Sequence, residues 1–137
     1  MNKMLTIKIA FEEETGLDAI DPLGDLTISD GASTIAIRTT YLDSWLAALI
    51  SGYNRSRQTN HINVEVSEER QAISINILPS GLLSISYENQ TLMPQLPQEV
   101  KVALKGAAQY LLRALDTLPS SHRNAFLDPI RKFISAG

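Results

Sequence analysis

The sequence predicts an α+β fold with a mainly antiparallel sheet of about five or six strands, covered on one face by helices. Three observations carry this. Between Tyr41 and Tyr53, the residues Leu42, Trp45, Leu46, Leu49, Ile50 and Tyr53 recur at steps of three and four, which is one side of an α-helix. Three later segments alternate apolar and polar residues: Ile62/Val64/Val66, Ile73/Ile75/Ile77 and Leu83/Ile85/Tyr87. Their short connections imply an antiparallel meander with one greasy side. Finally, Val100, Leu104, Ala107, Ala108, Leu111, Leu112, Leu115 and Leu118 form a long helical stripe able to cover that side.

In chain order, Leu5, Ile7, Ile9 and Phe11 alternate with Thr6, Lys8 and Ala10, the pattern of a half-buried strand. Residues 15–25 hold Gly16, Pro22 and Gly24 and read as a loop, with Leu17 and Ile20 turned inward. Leu26/Ile28 and Ile35/Ile37 flank Asp30-Gly31, a hairpin signal because that dipeptide tolerates positive φ. Thr40, with Asp43 three residues on, reads as an N-cap for the Tyr41–Tyr53 helix, and Gly52 lies near its expected end. Asn54–Asn60 is polar and loop-like. Ser67–Arg70 and Pro79-Ser80-Gly81 are the turns of the meander. Pro97 suits the first turn of the long helix, which Pro119 stops. A last, short helix carries Phe126, Ile130, Phe133 and Ile134, with Ser120 or Ser121 as cap; Pro129 is expected to kink or split it, and Asp128 to cap the second piece.

At 137 residues the chain suits one domain, 1–137, with a real core. Its net charge of -3 argues for neither nucleic acid nor an anionic membrane surface. The charge is uneven: residues 1–50 hold eight acids against three bases, and the remainder is slightly basic. No apolar run approaches the roughly 20 residues of a membrane span. The N-terminus leads into alternation rather than an apolar signal core, so the expected location is cytoplasmic.

Several chemistries find no support. With no cysteine, disulfides, thiolate catalysis and sulfur-bound zinc are excluded. There is no Gly-x-Ser-x-Gly elbow, no dinucleotide fingerprint and no Walker lysine. His61 and His122 are the only bases near neutrality, and both read as surface or local hydrogen-bonding residues. Asp18, Asp21 and Asp25 make an acidic loop without EF-hand spacing. Arg55, Arg57 and Arg70, near Tyr53 and His61, use the vocabulary of single-strand contact but are too few to predict it. No cofactor and no metal is expected.

What survives is protein binding without catalysis, by a homodimer. An apolar patch of Phe126, Ile130 and Phe133, rimmed by Arg55, Arg57, Arg123 and Arg131, is the expected partner surface, unless the last helix completes the core. The strand Leu5–Phe11 or the last meander strand would present a sheet edge that two copies could pair. The order of elements is similar to that of small bacterial α+β adaptor and immunity-type proteins, a likeness of fold alone. The alternative is a small-molecule-binding module or weak enzyme, with Tyr53, His61, Tyr87 and Tyr110 around a pocket between sheet and helices.

Overall fold

Alternating burial organises the strands. The computed structural model describes residues 5–12, 18–66, 69–119 and 123–136. Strands β1 (Thr6–Phe11), β2 (Leu23–Ser29) and β3 (Thr34–Tyr41) form one antiparallel sheet. Strands β4 (His61–Val64), β5 (Ile73–Ile77), β6 (Leu83–Tyr87) and β7 (Gln90–Thr91) form a second. The helices are α1 (Leu42–Arg55), α2 (Pro97–Leu115) and α3 (Leu127–Ser135). The α+β class and antiparallel pairing follow the sequence reading. The single sheet of five or six strands does not: there are two sheets, of three and four strands. The physical reason is α1, which separates the two meanders in sequence and takes both as its bed. Two-residue β7 had no readable alternation.

One core cluster joins Leu26, Ile28, Ile35 and Ile37 of the first sheet, Ile62, Ile73, Ile75 and Ile85 of the second, and residues of all three helices. Polar residues such as Thr34, Arg38, Asn63 and Thr91 face away from it, exposed. Trp45 is wholly buried and meets Tyr87 edge-on, with centroids 4.9 Å apart. Such a contact contributes about 0.5–1.5 kcal/mol beyond burial.

Helix α1 is buried nearly all round. Asp43, Ser44 and Ala48, on the side opposite its apolar stripe, are covered too. That side meets the approach to α3 through Asn124, which bonds both Asp43 and the Ala19 carbonyl, and the Leu42 amide donates to the Pro22 carbonyl. Its N-cap is Tyr41, without a side-chain bond, so Thr40 does not cap it. Gly52 is inside the helix rather than at its end. A Cβ there would collide with Ile75 Cδ1 and press on Val64 Cγ2 at 3.2 Å, so the glycine lets the helix lie directly on β4 and β5.

The hairpin between β2 and β3 forms at Asp30–Ser33, with Gly31 at φ 93°. That region is closed to most side chains. Ile20 points outward, 41% exposed, while neighbouring Ala19 and Pro22 are buried instead. Leu17, Ser120, Ser121 and His122 lie outside the described residues. Pro129 neither kinks nor splits α3: the helix begins at Leu127, which puts the proline in the first turn, where no intrahelical donor is lost. Asp128 is accordingly a first-turn residue and not a cap.

The close approach at Gly52 yields a prediction. Gly52→Ala should lower stability by about 1–2 kcal/mol, although alanine is the better helix former by about 1 kcal/mol. Adding Ile75→Val, which removes the colliding methyl, should recover part of the loss. Urea denaturation of both variants checks this; equal stability of wild type and Gly52→Ala would refute the contact.

Candidate functional site

Three buried polar constellations stand out in an otherwise apolar interior. The first surrounds Glu69. Its Oε1 accepts from the Thr40 hydroxyl at 2.6 Å and from the Trp45 indole N–H at 3.4 Å, and its Oε2 accepts from the Tyr87 hydroxyl at 3.1 Å. Trp45 also donates to Thr40 Oγ1 at 3.0 Å. Burial, then the negative charge and hydrogen bond of Glu69, push the Tyr87 hydroxyl up to about 12. It therefore stays protonated across the physiological range, as a donor and not a base. The cluster fastens the end of β3, the start of α1, the β4–β5 connection and the end of β6 together. None of these four side chains lines either of the two open clefts among the described residues. Beside it, Thr39 holds φ 51°, and its amide donates to Asp25 Oδ1 at 2.8 Å across a register shift between β2 and β3. This bulge stores about 1–3 kcal/mol of local strain.

The second is Asp30, 2% exposed. Its Oδ1 accepts from the amides of Ala32 at 2.7 Å and Ser33 at 2.6 Å, while Oδ2 accepts from the Met93 amide at 2.6 Å. One carboxylate thus closes the first sheet's hairpin and ties it to the segment after β7. Burial alone raises its pKa, but the backbone donors together outweigh burial and leave it lowered. Third, Asn124 donates to Asp43 Oδ2 at 2.7 Å and to the Ala19 carbonyl at 2.9 Å, clamping the approach to α3 onto the start of α1. Burial is the main cause of the raised Asp43 pKa, which Asn124 partly offsets.

These are latches, and they hold Asp30, Thr40, Asp43 and Asn124, four of the six buried polar residues among those described; no fully buried side-chain nitrogen or oxygen among the described residues lacks a partner. Nor do any three His, Asp or Glu among the described residues group as metal ligands. No helix among them is long and apolar enough to cross a membrane.

The residues expected to form a partner patch are dispersed. Ile130 and Phe133 are buried, Phe133 edge-on to Tyr53 with centroids 5.8 Å apart. The last helix therefore completes the core, and only Phe126, 42% exposed, remains on the surface. Arg131 pairs with Asp116 at 2.6 Å within the chain. Arg55, Arg57 and Arg123 are exposed. The four polar handles of the alternative reading do not share a cavity either. Tyr53 lies under α1's last turn, His61 is exposed beside Asn76, Tyr87 sits on Glu69, and Tyr110 is on the outer face of α2. Between sheets and helices the described residues enclose an apolar void of about 10 Å³. At that size it holds one water at most.

Among the described residues, two open features stand out. One is a groove of about 370 Å³ between β1 and α2, lined by Ile7, Lys8, Ile9, Gly106, Ala107 and Tyr110. The sequence pointed to a β1 edge but not to this groove, whose helical wall is built from small residues. The other is a cleft of about 450 Å³ between the end of α1 and the start of α2, lined by Tyr53, Ser56, Arg57, Ile77, Gly81, Pro97 and Gln98. Comparison of the chain with family models, with curated proteins and with solved structures gave no match in any of the three.

The Asp30 latch has a pH signature. A folded-state pKa below the ordinary 3.8 contributes stability that is complete above that value. The contribution is lost as pH falls through the lower folded value. Asp30→Asn should cost about 2–4 kcal/mol at neutral pH, since it removes charge-assisted bonds and turns an amide donor toward backbone donors. It should also flatten the acid limb of the stability curve. Urea midpoints measured from neutral pH down into the acid limb decide it; an unchanged neutral midpoint counts against the latch.

Proposed function

We propose that this chain is a non-enzymatic protein-interaction domain whose recognition element is the free edge of β1, taken up by β1 of a second copy. The observation that supports this reading is the state of that edge. The Glu12 amide donates to the Leu23 carbonyl at 2.9 Å. Antiparallel alternation then turns the backbone groups of Ala10, Lys8 and Thr6 toward β2, and those of Ile7, Ile9 and Phe11 away from it. Among the described residues nothing pairs with the outward set. Groove and unpaired backbone coincide at Ile7 and Ile9.

Charge selects the occupant. Any twofold pairing of β1 with itself must match odd residues to odd residues. With Lys8 opposite Lys8 of the partner, like charges collide. With Ile9 opposite its own copy, Lys8 faces Ala10 and lies diagonal to Glu12, twice by symmetry, against a single Lys8–Lys8 diagonal. Ile7 then faces Phe11, whose ring stacks on half-exposed Tyr110 with centroids 5.7 Å apart. The added strand's Ile7 and Ile9 enter the groove above Gly106, where a Cβ would meet nothing within 4 Å. Two three-stranded sheets thereby become one of six, and both exposed edges disappear.

Light scattering of the purified protein is expected to give a dimer. Ile9→Pro, which removes an outward amide, should yield monomer, while Ile9→Ala, which removes more of the side chain but keeps the amide, should remain dimeric. Lys8→Glu should weaken the dimer, and Lys8→Glu with Glu12→Lys should restore it. A wild type that stays monomeric at every concentration, or a dimer indifferent to Ile9→Pro, would overturn the reading.

A further inference from the structure

The second open feature, at the opposite end of α2 from Tyr110, owes nothing to the β1 edge. We infer that the cleft between the end of α1 and the start of α2 binds a small organic oxyanion, a carboxylate or phosphate group.

The acceptors at the end of α1 are engaged. Helix α1 would repel an anion through its last carbonyls, but these are already engaged. Gly52, Tyr53, Asn54 and Arg55 carbonyls accept from the amides of Ser56, Arg57, Gln58 and Thr59, and Ser56 Oγ donates to the Tyr53 carbonyl as well. No aspartate or glutamate lines the cleft.

Donors are left over. Helix α2 begins at Leu96 with no side-chain cap, and Pro97 has no amide. The amides of Glu99 and Val100 turn back to the Leu96 carbonyl, which leaves the Gln98 amide open at the positive end of a 19-residue helix. Arg57 lines the same space, exposed, and makes no ion pair or side-chain hydrogen bond with another described residue. The third donor is independent of any helix end. Tyr53 is 5% exposed, yet its hydroxyl has no hydrogen-bond partner among the described residues. No fully buried polar side-chain atom among the described residues lacks a partner, so that hydroxyl reaches solvent, and Tyr53 lines this open cleft. A tyrosine buried but for its solvent-reaching hydroxyl, its ring held edge-on by Phe133, offers a donor with no competing bond inside the protein.

Arg57, Tyr53 and the uncapped start of α2 border one cleft that no aspartate or glutamate lines. That is a donor set for an oxyanion. Ile77, Pro97 and Gly81 supply the apolar remainder, which suits an uncharged body attached to the anionic group.

Nitrogen-edited NMR with inorganic phosphate, acetate and butyrate as probes tests this. Saturable, millimolar shifts are expected at the Gln98 amide, with butyrate tighter than acetate if the apolar wall is used. Arg57→Gln should weaken binding about tenfold, the loss of one charge-assisted bond. Tyr53→Phe should weaken it several-fold without moving the thermal midpoint, because the hydroxyl makes no bond within the protein. Arg55→Gln is the control and should change nothing. Absent or unsaturable shifts at Gln98, or equal losses in Arg57→Gln and Arg55→Gln, would overturn the site. A variant at Arg57 that disturbs only phosphate and not the carboxylates would assign the cleft to phosphate.

Discussion

Everything in this molecule is arranged around the burial of α1. Fourteen residues, Leu42–Arg55, carry Trp45, Leu46, Leu49, Ile50 and Tyr53 into the core, and the opposite side is covered as well. A helix that is apolar on one side needs one surface to lie on. A helix covered on all sides needs several, and they must come from distant parts of the chain. The two meanders supply the bed, with Gly52 allowing close approach to β4 and β5. Helices α2 and α3 supply the lid. Full burial of each large side chain stabilises the fold by about 1.5–3 kcal/mol, so the fold stands or falls with this helix.

Apolar burial says little about where one sheet sits relative to the other, because greasy faces slide at small cost. The polar latches remove that freedom. Asp30 locks the β2–β3 turn to the Met93 amide; Glu69 collects Thr40, Trp45 and Tyr87; Asn124 joins Asp43 to Ala19. Each has a single satisfied arrangement, and each costs a desolvated carboxylate or amide if broken. Titratable groups in this interior are thus matched to hydrogen-bonding partners. They are not poised for proton transfer, and the raised Tyr87 pKa belongs to that same static role.

The surface carries the chemistry that the interior lacks. An unpaired strand edge and a donor-only cleft lie along the same helix, α2, one near Gly106 and Tyr110 and the other at Gln98. Both exist because α2 packs on the core through a stripe of Val100, Leu104, Ala108, Leu111 and Leu115. Its flank toward β1 is small, and its first turn is uncapped. Neither feature is needed for folding. A capped start and a bulkier flank would have made a more stable monomer.

Alternation and helical spacing determined the elements. β1 to β6, α1 and α2 lie within a few residues of where the sequence puts them, because each must show one apolar side to a core and that requirement is written locally. The Asp30-Gly31 hairpin was legible for the same reason, since positive φ is a property of the residue itself. Tertiary structure decided what depends on distant partners. Thr40 reads as a cap but serves Glu69, 29 positions away. Gly52 reads as a helix end but clears Ile75. Phe133 and Ile130 read equally well as patch or core, since a short stripe does not say what covers it; Tyr53 and the rest of the cluster settle that. The split into two sheets, and the meeting of Arg57 with the start of α2, come from how three helices share one bed. Sequence periodicity records which side of an element is greasy, and only packing records which neighbour it is greasy for.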